Sequence, residues 1–242
     1  VFGPNSKQMD LFSQSISPAV SDVLRGFNCT VFAYGQTGTG KTYTMEGGRR
    51  AKSGEFSSEA GVIPRSVQQI FEELEAQFTE YAMKVSFLEI HNEEIIDLLA
   101  PDEWEFTNYK LKKPIALVED GKGSIIVRGM EEKLVRSADE IYKIMDRASA
   151  RRNAIETLLN QQSNRSHSIF SITVHIKEFT REGEEVIKTG KLNLVDLAGS
   201  VNVLRSGSVE GRSREAGGIN KSLLTLGRVI NALVEESSHI PY

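Results

Sequence analysis

The chain has 242 residues, 39% of them hydrophobic and 26% charged, with a formal net charge of −4. That length suits one domain with a real core, the composition is that of an ordinary folded protein, and the acidic balance excludes broad nucleic-acid binding, so an acidic partner must be met by a local basic patch. No apolar run is long enough to span a membrane, the first residues lack the basic-then-apolar pattern of a signal peptide, and the lone Cys29 has no partner for an internal disulfide, which fits a packed thiol in a reducing compartment.

Residues 7–28 read as two helices. Met9, Phe12 and Ile16 form one apolar stripe; Ser17 and Pro18 then reset the chain as N-cap and first helical residue, and Val20, Val23 and Leu24 form the next stripe. Residues 29–34 are an apolar strand, followed by Gly35-Gln36-Thr37-Gly38-Thr39-Gly40-Lys41-Thr42. This octet fits G-x-x-x-x-G-K-[ST], and it has the strand before it and the helix start after it that the phosphate-binding P-loop requires. Its glycines let successive N–H groups point inward at a phosphate chain. Lys41 then stands beside the β- and γ-phosphates, and Thr42 offers a hydroxyl to Mg²⁺.

Residues 47–61 read as an exposed loop and 64–78 as a helix. A strand over 83–90 is followed by an acidic segment. Residues 102–113 read as a loop and 115–127 as a hairpin about Asp120-Gly121-Lys122-Gly123. Ser137 with Glu140 spells a capping box for a helix to about residue 153. Two long strands, 168–179 and 186–195, are joined by a charged turn. The last clear element is an amphipathic helix over 218–236, with Ile219, Leu223, Leu226, Ile230 and Leu233 on one face and Lys221, Thr225 and Arg228 on the other. Strands alternating with helices around a P-loop predict an α/β fold: a three-layer P-loop NTPase sandwich with a mixed central sheet.

Gripping phosphate is not turnover. Val195-Asp196-Leu197-Ala198-Gly199 ends an apolar strand with D-x-x-G, in which Asp196 holds Mg²⁺ and the Gly199 N–H faces the γ-phosphate. Alone this is a strand-end turn; with a P-loop upstream it is a phosphate sensor. The polar run Asn160-Gln161-Gln162-Ser163-Asn164-Arg165-Ser166-His167 reads by composition as a solvated loop, and His167 by itself as a structural histidine.

Together these segments resemble the kinesin motor family, which carries N-x-x-S-S-R-S-H and D-L-A-G-S-E at these places. The resemblance covers residues 1–242 and is nearest the BimC-type spindle kinesins, particularly plant members. Gly26-Phe27-Asn28-Cys29-Thr30, Glu215-Ala216-Gly217, Ile219-Asn220-Lys221-Ser222-Leu223 and the long loop after Met45 support it. It implies part of a motor domain that binds ATP and Mg²⁺ and couples γ-phosphate status to microtubule affinity, at cytoplasmic and spindle microtubules, with no nucleic-acid or membrane partner. It also implies that full-length relatives oligomerise through a stalk absent here. By the same resemblance residues 218–236 face tubulin, with Lys221 and Arg228 on the contact face and Arg205, Arg212 and Arg214 in the preceding loop.

The departures from the family fall on chemistry. Asn164 stands where the family has its second serine, with Ser163 as a partial substitute, and Val201 stands where it has the glutamate that pairs with the switch arginine, here Arg165. Valine cannot pair, so Arg165 is expected to seek another acceptor, because an unpaired, partly buried charge is costly. Losing one preorganised group from such a site costs on the order of 10²–10³ in rate. His91 replaces a family tyrosine, a local packing change.

The resemblance also implies that strands precede the position of Val1 and that further elements follow Tyr242. Residues 30–34 are therefore expected to be an exposed apolar edge, and the chain to be a fragment. Three readings stand: an ATP-hydrolysing microtubule motor core with slowed hydrolysis, which the intact P-loop favours; a non-catalytic nucleotide- or microtubule-binding relative, which Asn164 and Val201 favour; and a fragment without activity of its own. A GTPase is disfavoured, because Asn220-Lys221-Ser222-Leu223 lacks the aspartate of N-K-x-D.

Overall fold

The computed structural model describes residues 1–48, 57–77, 80–100, 115–119, 125–158, 165–180, 182–200 and 210–241, with the backbone alone for 125, 155–158 and 210–220. The first apolar stripes fold as one helical run, not two capped helices: α1 (Gln8–Leu11), a π-helical turn (Phe12–Ile16) and α2 (Ser17–Leu24). Ser17 is itself helical, at φ −51° and ψ −42°, and its N–H bonds the Phe12 carbonyl five residues back. Pro18 is the reason. It has no N–H for the carbonyl four residues earlier, and one wide turn absorbs the mismatch without ending the helix. Phe12, Ile16, Val20, Val23 and Leu24 are buried on the inward face.

β1 (Asn28–Ala33) leads through the P-loop to α3 (Lys41–Met45). The ends of the following loop are pinned by a bridge between Gly47 and Ala60, and α4 (Val62–Ala76) packs on α2. β2 (Tyr81–His91) turns tightly into β3 (Glu94–Asp97). β4 (Ala116–Glu119) and β5 (Ile125–Arg128) form the expected hairpin, whose turn lies outside the described residues, as does the expected loop 102–113. β6 (Lys133–Val135) precedes α5 (Ala138–Leu158); then come β7 (His167–Phe179), β8 (Glu185–Asp196) and α6 (Glu210–Val234).

The central sheet is mixed, in the order β1-β8-β7-β2-β3 with β6 also on β2. Among the described strands only β1 and β8 pair in parallel; the remaining pairs are antiparallel. One cross-strand row, Val31–Leu194–Phe170–Phe87, is apolar and joins the core built with α2, α4 and α5. The neighbouring row, Thr30–Asn193–Ser171–Ser86, faces the other way and is polar. There the Ser171 hydroxyl donates to Asn193 Oδ1 at 2.8 Å, and Asn193 Nδ2 donates to Thr30 Oγ1 at 3.2 Å. Among the described residues β1 is an outer strand, with Phe32 43% and Tyr34, just beyond it, 68% exposed, as the sequence predicts.

Three further elements differ from expectation for identifiable reasons. The acidic segment after β2 is the strand β3, whose charges hide its alternation; its end is fixed by the buried Asp97, which accepts from Leu99 N at 2.8 Å and Glu131 N at 2.7 Å. Ser137 does cap α5, accepting from Glu140 N at 3.3 Å, but the Glu140 carboxylate bonds Arg136 N at 2.8 Å, one residue outside a standard box, and the helix continues to Leu158. α6 begins at Glu210, eight residues before the expected start, because glycines weaken a helix without forbidding one. Arg212 and Arg214 therefore lie on the α6 backbone and not in a preceding loop.

The β2–β3 turn holds two non-glycine residues in the left-handed region, Asn92 at φ 48° and Glu93 at φ 65°. A two-residue hairpin with both φ positive prefers Asn-Gly, and an L side chain there costs about 1–2 kcal/mol. Glu93→Gly should therefore stabilise the full-length protein by about 0.5–1 kcal/mol, read as an upward shift in the denaturation midpoint.

Candidate phosphate-binding site

The register of the parallel pair sets Ala33 opposite Asp196, so the two strands end level and their following loops leave side by side. The pairing continues past the sheet: Leu197 N donates to Ala33 O at 3.2 Å, Ser200 N to Gly35 O at 3.1 Å, and Gln36 and Ser200 form a parallel bridge. The P-loop and the D-x-x-G loop, far apart in sequence, become neighbours at the carboxyl end of the sheet. Open α/β sheets bind ligands there.

Gly38 and Gly40 take φ of 81° and 90°, values that would strain any residue with a Cβ. Their turns wrap the loop around the Gln36 carbonyl, which accepts from Thr39 N at 3.3 Å, Thr39 Oγ1 at 2.8 Å and Lys41 Nζ at 3.0 Å. Above this loop opens a cavity of about 270 Å³, lined by Thr37, Gly38, Gly40, Lys41, Thr42, Tyr43, Asp196, Leu197 and Gly199. Within it the Thr42 hydroxyl donates to Asp196 Oδ2 at 2.5 Å. Asp196 is buried, and among the described residues its Oδ1 has no hydrogen-bond partner. A buried carboxylate oxygen left open beside a hydroxyl suits a hard cation, which takes oxygen ligands.

Gly199 closes the contact between the loops. A Cβ at this position would lie 2.1 Å from Thr37 Oγ1 and 2.8 Å from Thr37 N, so only glycine fits. Behind the site Glu46, at the end of α3, lies 3.5 Å from Arg152 Nη1 on α5. Burial pushes the Glu46 carboxyl above the usual carboxylate range; Arg152 pulls it back, and the neighbouring Asp196 pushes it further up.

His167 begins β7 and touches two other elements. Its Nδ1 lies 3.0 Å from Ala198 N, and its Nε2 lies 3.2 Å from Ser222 Oγ on α6. A backbone N–H can only donate, so Nδ1 accepts, the ring is neutral, and the proton sits on Nε2. Burial holds the imidazole below its ordinary pKa, opposed by Asp196 and Glu93.

Of the residues singled out by sequence, Thr37, Gly38, Gly40, Lys41, Thr42, Asp196 and Gly199 line the cavity, while Gly35, Gln36 and Thr39 shape the loop beneath it. Arg165 is half-buried just before β7 and engaged by an interaction, so its charge is not left alone. Ser163, Asn164, Val201 and Arg205 lie outside the described residues, as do the side chains of Arg212 and Arg214. Lys221 and Arg228 are exposed on α6; of the apolar stripe, Leu223 and Leu226 are half-buried whereas Ile230 and Leu233 remain open. His91 meets its neighbour Asn92, Nε2 to Nδ2, at 3.0 Å. The sequence motifs do not mark Tyr43, which lies one residue past the P-loop octet, Leu197, which is a variable position of D-x-x-G, or the two contacts of His167.

Two outcomes follow from this geometry. Gly199→Ala should push the loops apart, costing about 1–3 kcal/mol of stability and weakening phosphate-chain binding, as read by a fluorescent nucleotide. For His167 the folded pKa is depressed, so its stabilising contribution is complete above its ordinary value of 6.5 and is lost as pH falls below it. The difference in melting temperature between the wild type and His167→Gln should accordingly shrink between pH 7.5 and pH 5.5, a range of about one unit either side of the ordinary histidine pKa.

Comparison with known proteins bears on the family to which the chain belongs. The family model described as "Kinesin motor domain" matches residues 1–242. The chain is 69% identical to "Kinesin-like protein KIN-5A" of Arabidopsis thaliana and 71% identical to "Kinesin-like protein KIN-5D" of the same plant, each over 243 residues, and 70% identical to "Kinesin-like protein KIN-5A" of Oryza sativa subsp. japonica over 247 residues. All of this chain is covered in these matches, and it spans 23% of the length of each relative. Among solved structures, the one titled "Structure of a fast kinesin: Implications for ATPase mechanism and interactions with microtubules" superposes with a TM-score of 0.84 at 44% identity, covering 100% of this chain and 65% of that one. The P-loop, the D-x-x-G strand end and the whole-length match thus agree that the chain belongs to the kinesin motor domain family, among its plant KIN-5, BimC-type members.

Proposed function

We propose that this chain is the nucleotide-responsive core of an ATP-driven microtubule motor with slowed hydrolysis. The observation that carries this reading is the Thr42–Asp196 contact of 2.5 Å with Asp196 Oδ1 left open, between two loops held together by the β1–β8 register. Thr42 and Asp196 would hold the Mg²⁺ of Mg-ATP, and that ion neutralises charge on the phosphates. Lys41 uses one of its three donors on Gln36 O and has two left for phosphate oxygens. The Gly199 N–H, beside Thr37, would read the terminal phosphate. Lys221 and Arg228, exposed on α6, form a cationic face for an acidic tubulin surface, which Arg205, Arg212 and Arg214 would extend. The likeness to KIN-5 proteins supports cytoskeletal, spindle-associated microtubules as the setting and a stalk outside these residues as the means of oligomerisation.

Slowed hydrolysis rests on Asn164 and Val201, which replace the serine hydroxyl and the carboxylate that the family places about the attacking water. Phosphoryl transfer depends almost wholly on positioning and electrostatics, so a site can keep its grip while losing rate. The combined substitution Asn164→Ser and Val201→Glu should raise microtubule-stimulated phosphate release at least about tenfold in the full-length protein. A wild type that already turns over near 10 s⁻¹, about the median for enzymes, would overturn the slowed-hydrolysis reading. Absence of any microtubule stimulation, in the wild type and the restored variant alike, would overturn the motor reading.

A further inference from the structure

We propose that Glu89 is a positioning residue for hydrolysis: its buried carboxylate holds the Ser166 hydroxyl and so fixes the backbone of Arg165 at the entrance to β7. The inference rests on the proposed motor reading and adds to it a residue outside the P-loop, the D-x-x-G strand end and the polar run.

Glu89 stands between two other strands, opposite Ser168 on β7 and Ile96 on β3, so its backbone is clamped on both sides. Its side chain shares a face with Asp196, two strands away in the same cross-strand row. The ladder between β2 and β7 ends with Ile90 opposite His167. Ser166 is the first residue beyond that ladder. Its hydroxyl donates to Glu89 Oε1, and both residues are buried. A hydrogen bond to a carboxylate belongs to the stronger class. This one extends the fixed part of the chain by one residue, to the point where the half-buried Arg165 begins.

Among the described residues Glu89 Oε2 has no hydrogen-bond partner. A buried carboxylate with one oxygen open is costly, and an apolar pair would serve stability at least as well. The contact therefore answers a need other than stability. Val201 supplies that need. The family holds its switch arginine with a carboxylate at this position, and valine offers none, so the aim of Arg165 depends more on where its backbone is held.

The test follows single-turnover hydrolysis of Mg-ATP by the full-length protein, beside affinity for a fluorescent ATP analogue. Glu89→Leu or Ser166→Ala alone strands a buried partner, so the decisive variant is Glu89→Leu/Ser166→Ala. It removes both polar groups and should keep the denaturation midpoint of the wild type. Its hydrolysis rate should fall about tenfold or more, since a misplacement of about 1 Å in such a site costs up to about 10²-fold. Its affinity for the analogue should stay within about threefold of wild type. Glu89→Gln keeps an oxygen for Ser166 and should hydrolyse within about threefold of the wild-type rate. Ser166→Ala should show the same split between rate and affinity as the double variant. With Val201→Glu present, which gives Arg165 a second hold, the double substitution should cost less than it does in the wild type.

A stable double variant that hydrolyses ATP at the wild-type rate would overturn the inference and leave the motor reading intact. So would a Glu89→Gln as slow as the double variant, because the charge and not the Ser166 contact would then matter. Loss of rate and affinity together in Ser166→Ala, in step with stability, would reduce the contact to a structural one. An equal cost with and without Val201→Glu would show that Glu89 does not act through Arg165, and would also overturn the inference. No hydrolysis in the wild type or in Asn164→Ser/Val201→Glu would overturn the motor reading and this inference together.

Discussion

β1 and β8 run parallel with Ala33 opposite Asp196, and the loops that follow them can only leave the sheet at the same edge. The rest of the site inherits its geometry from this pairing. Backbone bonds from Leu197 to Ala33 and from Ser200 to Gly35 extend the ladder beyond the strands, so the P-loop and the D-x-x-G loop are zipped at their bases. The Thr42–Asp196 hydrogen bond and the fit of Gly199 against Thr37 are consequences. A slip of one residue would turn Asp196 to the opposite face of the sheet, since side chains alternate. The apolar row Val31–Leu194–Phe170–Phe87 resists that slip, because the same shift of β8 would turn the buried Leu194 out of the core.

Three of the polar groups the fold buries lie along one line of this sheet. Ala33, Asp196, Ser168 and Glu89 are successive cross-strand neighbours on β1, β8, β7 and β2. Asp196 and Glu89 are both buried, and among the described residues each leaves one carboxylate oxygen without a partner. Glu89 is otherwise held by the Ser166 hydroxyl, next to Arg165. An unsatisfied buried polar atom costs about 1–3 kcal/mol, and a sheet selected only for stability would replace such groups with apolar ones. Of this row only Asp196 reaches the lining of the phosphate cavity. Glu46, whose carboxyl is pushed up by burial and by Asp196, adds a third acidic group, which Arg152 compensates. Arg152 also ties this acidic end to α5, the helix that leads toward the polar segment before β7.

Local chemistry made much of the fold legible. The P-loop could be read because glycine at positive φ is a backbone requirement, visible as Gly38 and Gly40 with no knowledge of the rest of the chain. β7 and β8 could be read because their apolar residues recur with the period of a half-buried strand. Legibility failed where one local signal masked another. Pro18 signals a helix start, yet a π turn carries the helix through it. Glu93 and Glu94 signal a solvated segment, yet pairing with β2 makes an edge strand from it. Gly217 and Gly218 signal a helix boundary, yet α6 runs across them.

By itself the sequence determined the phosphate-gripping loop, the strand end bearing Asp196, the apolar stripes of the core and the membership in the motor family that those segments imply. These are properties of short stretches, set by glycine conformation, side-chain period and the chemistry of Lys41, Thr42 and Asp196. Only the tertiary structure decided that Thr42 and Asp196 touch, that Tyr43 and Leu197 line the cavity, that Gly199 has no space for a side chain, and that His167 stands between Ala198 and Ser222. Each of these is a contact between residues distant in the chain, and strand register, a cooperative property of the whole sheet, is what brings such residues within hydrogen-bonding reach.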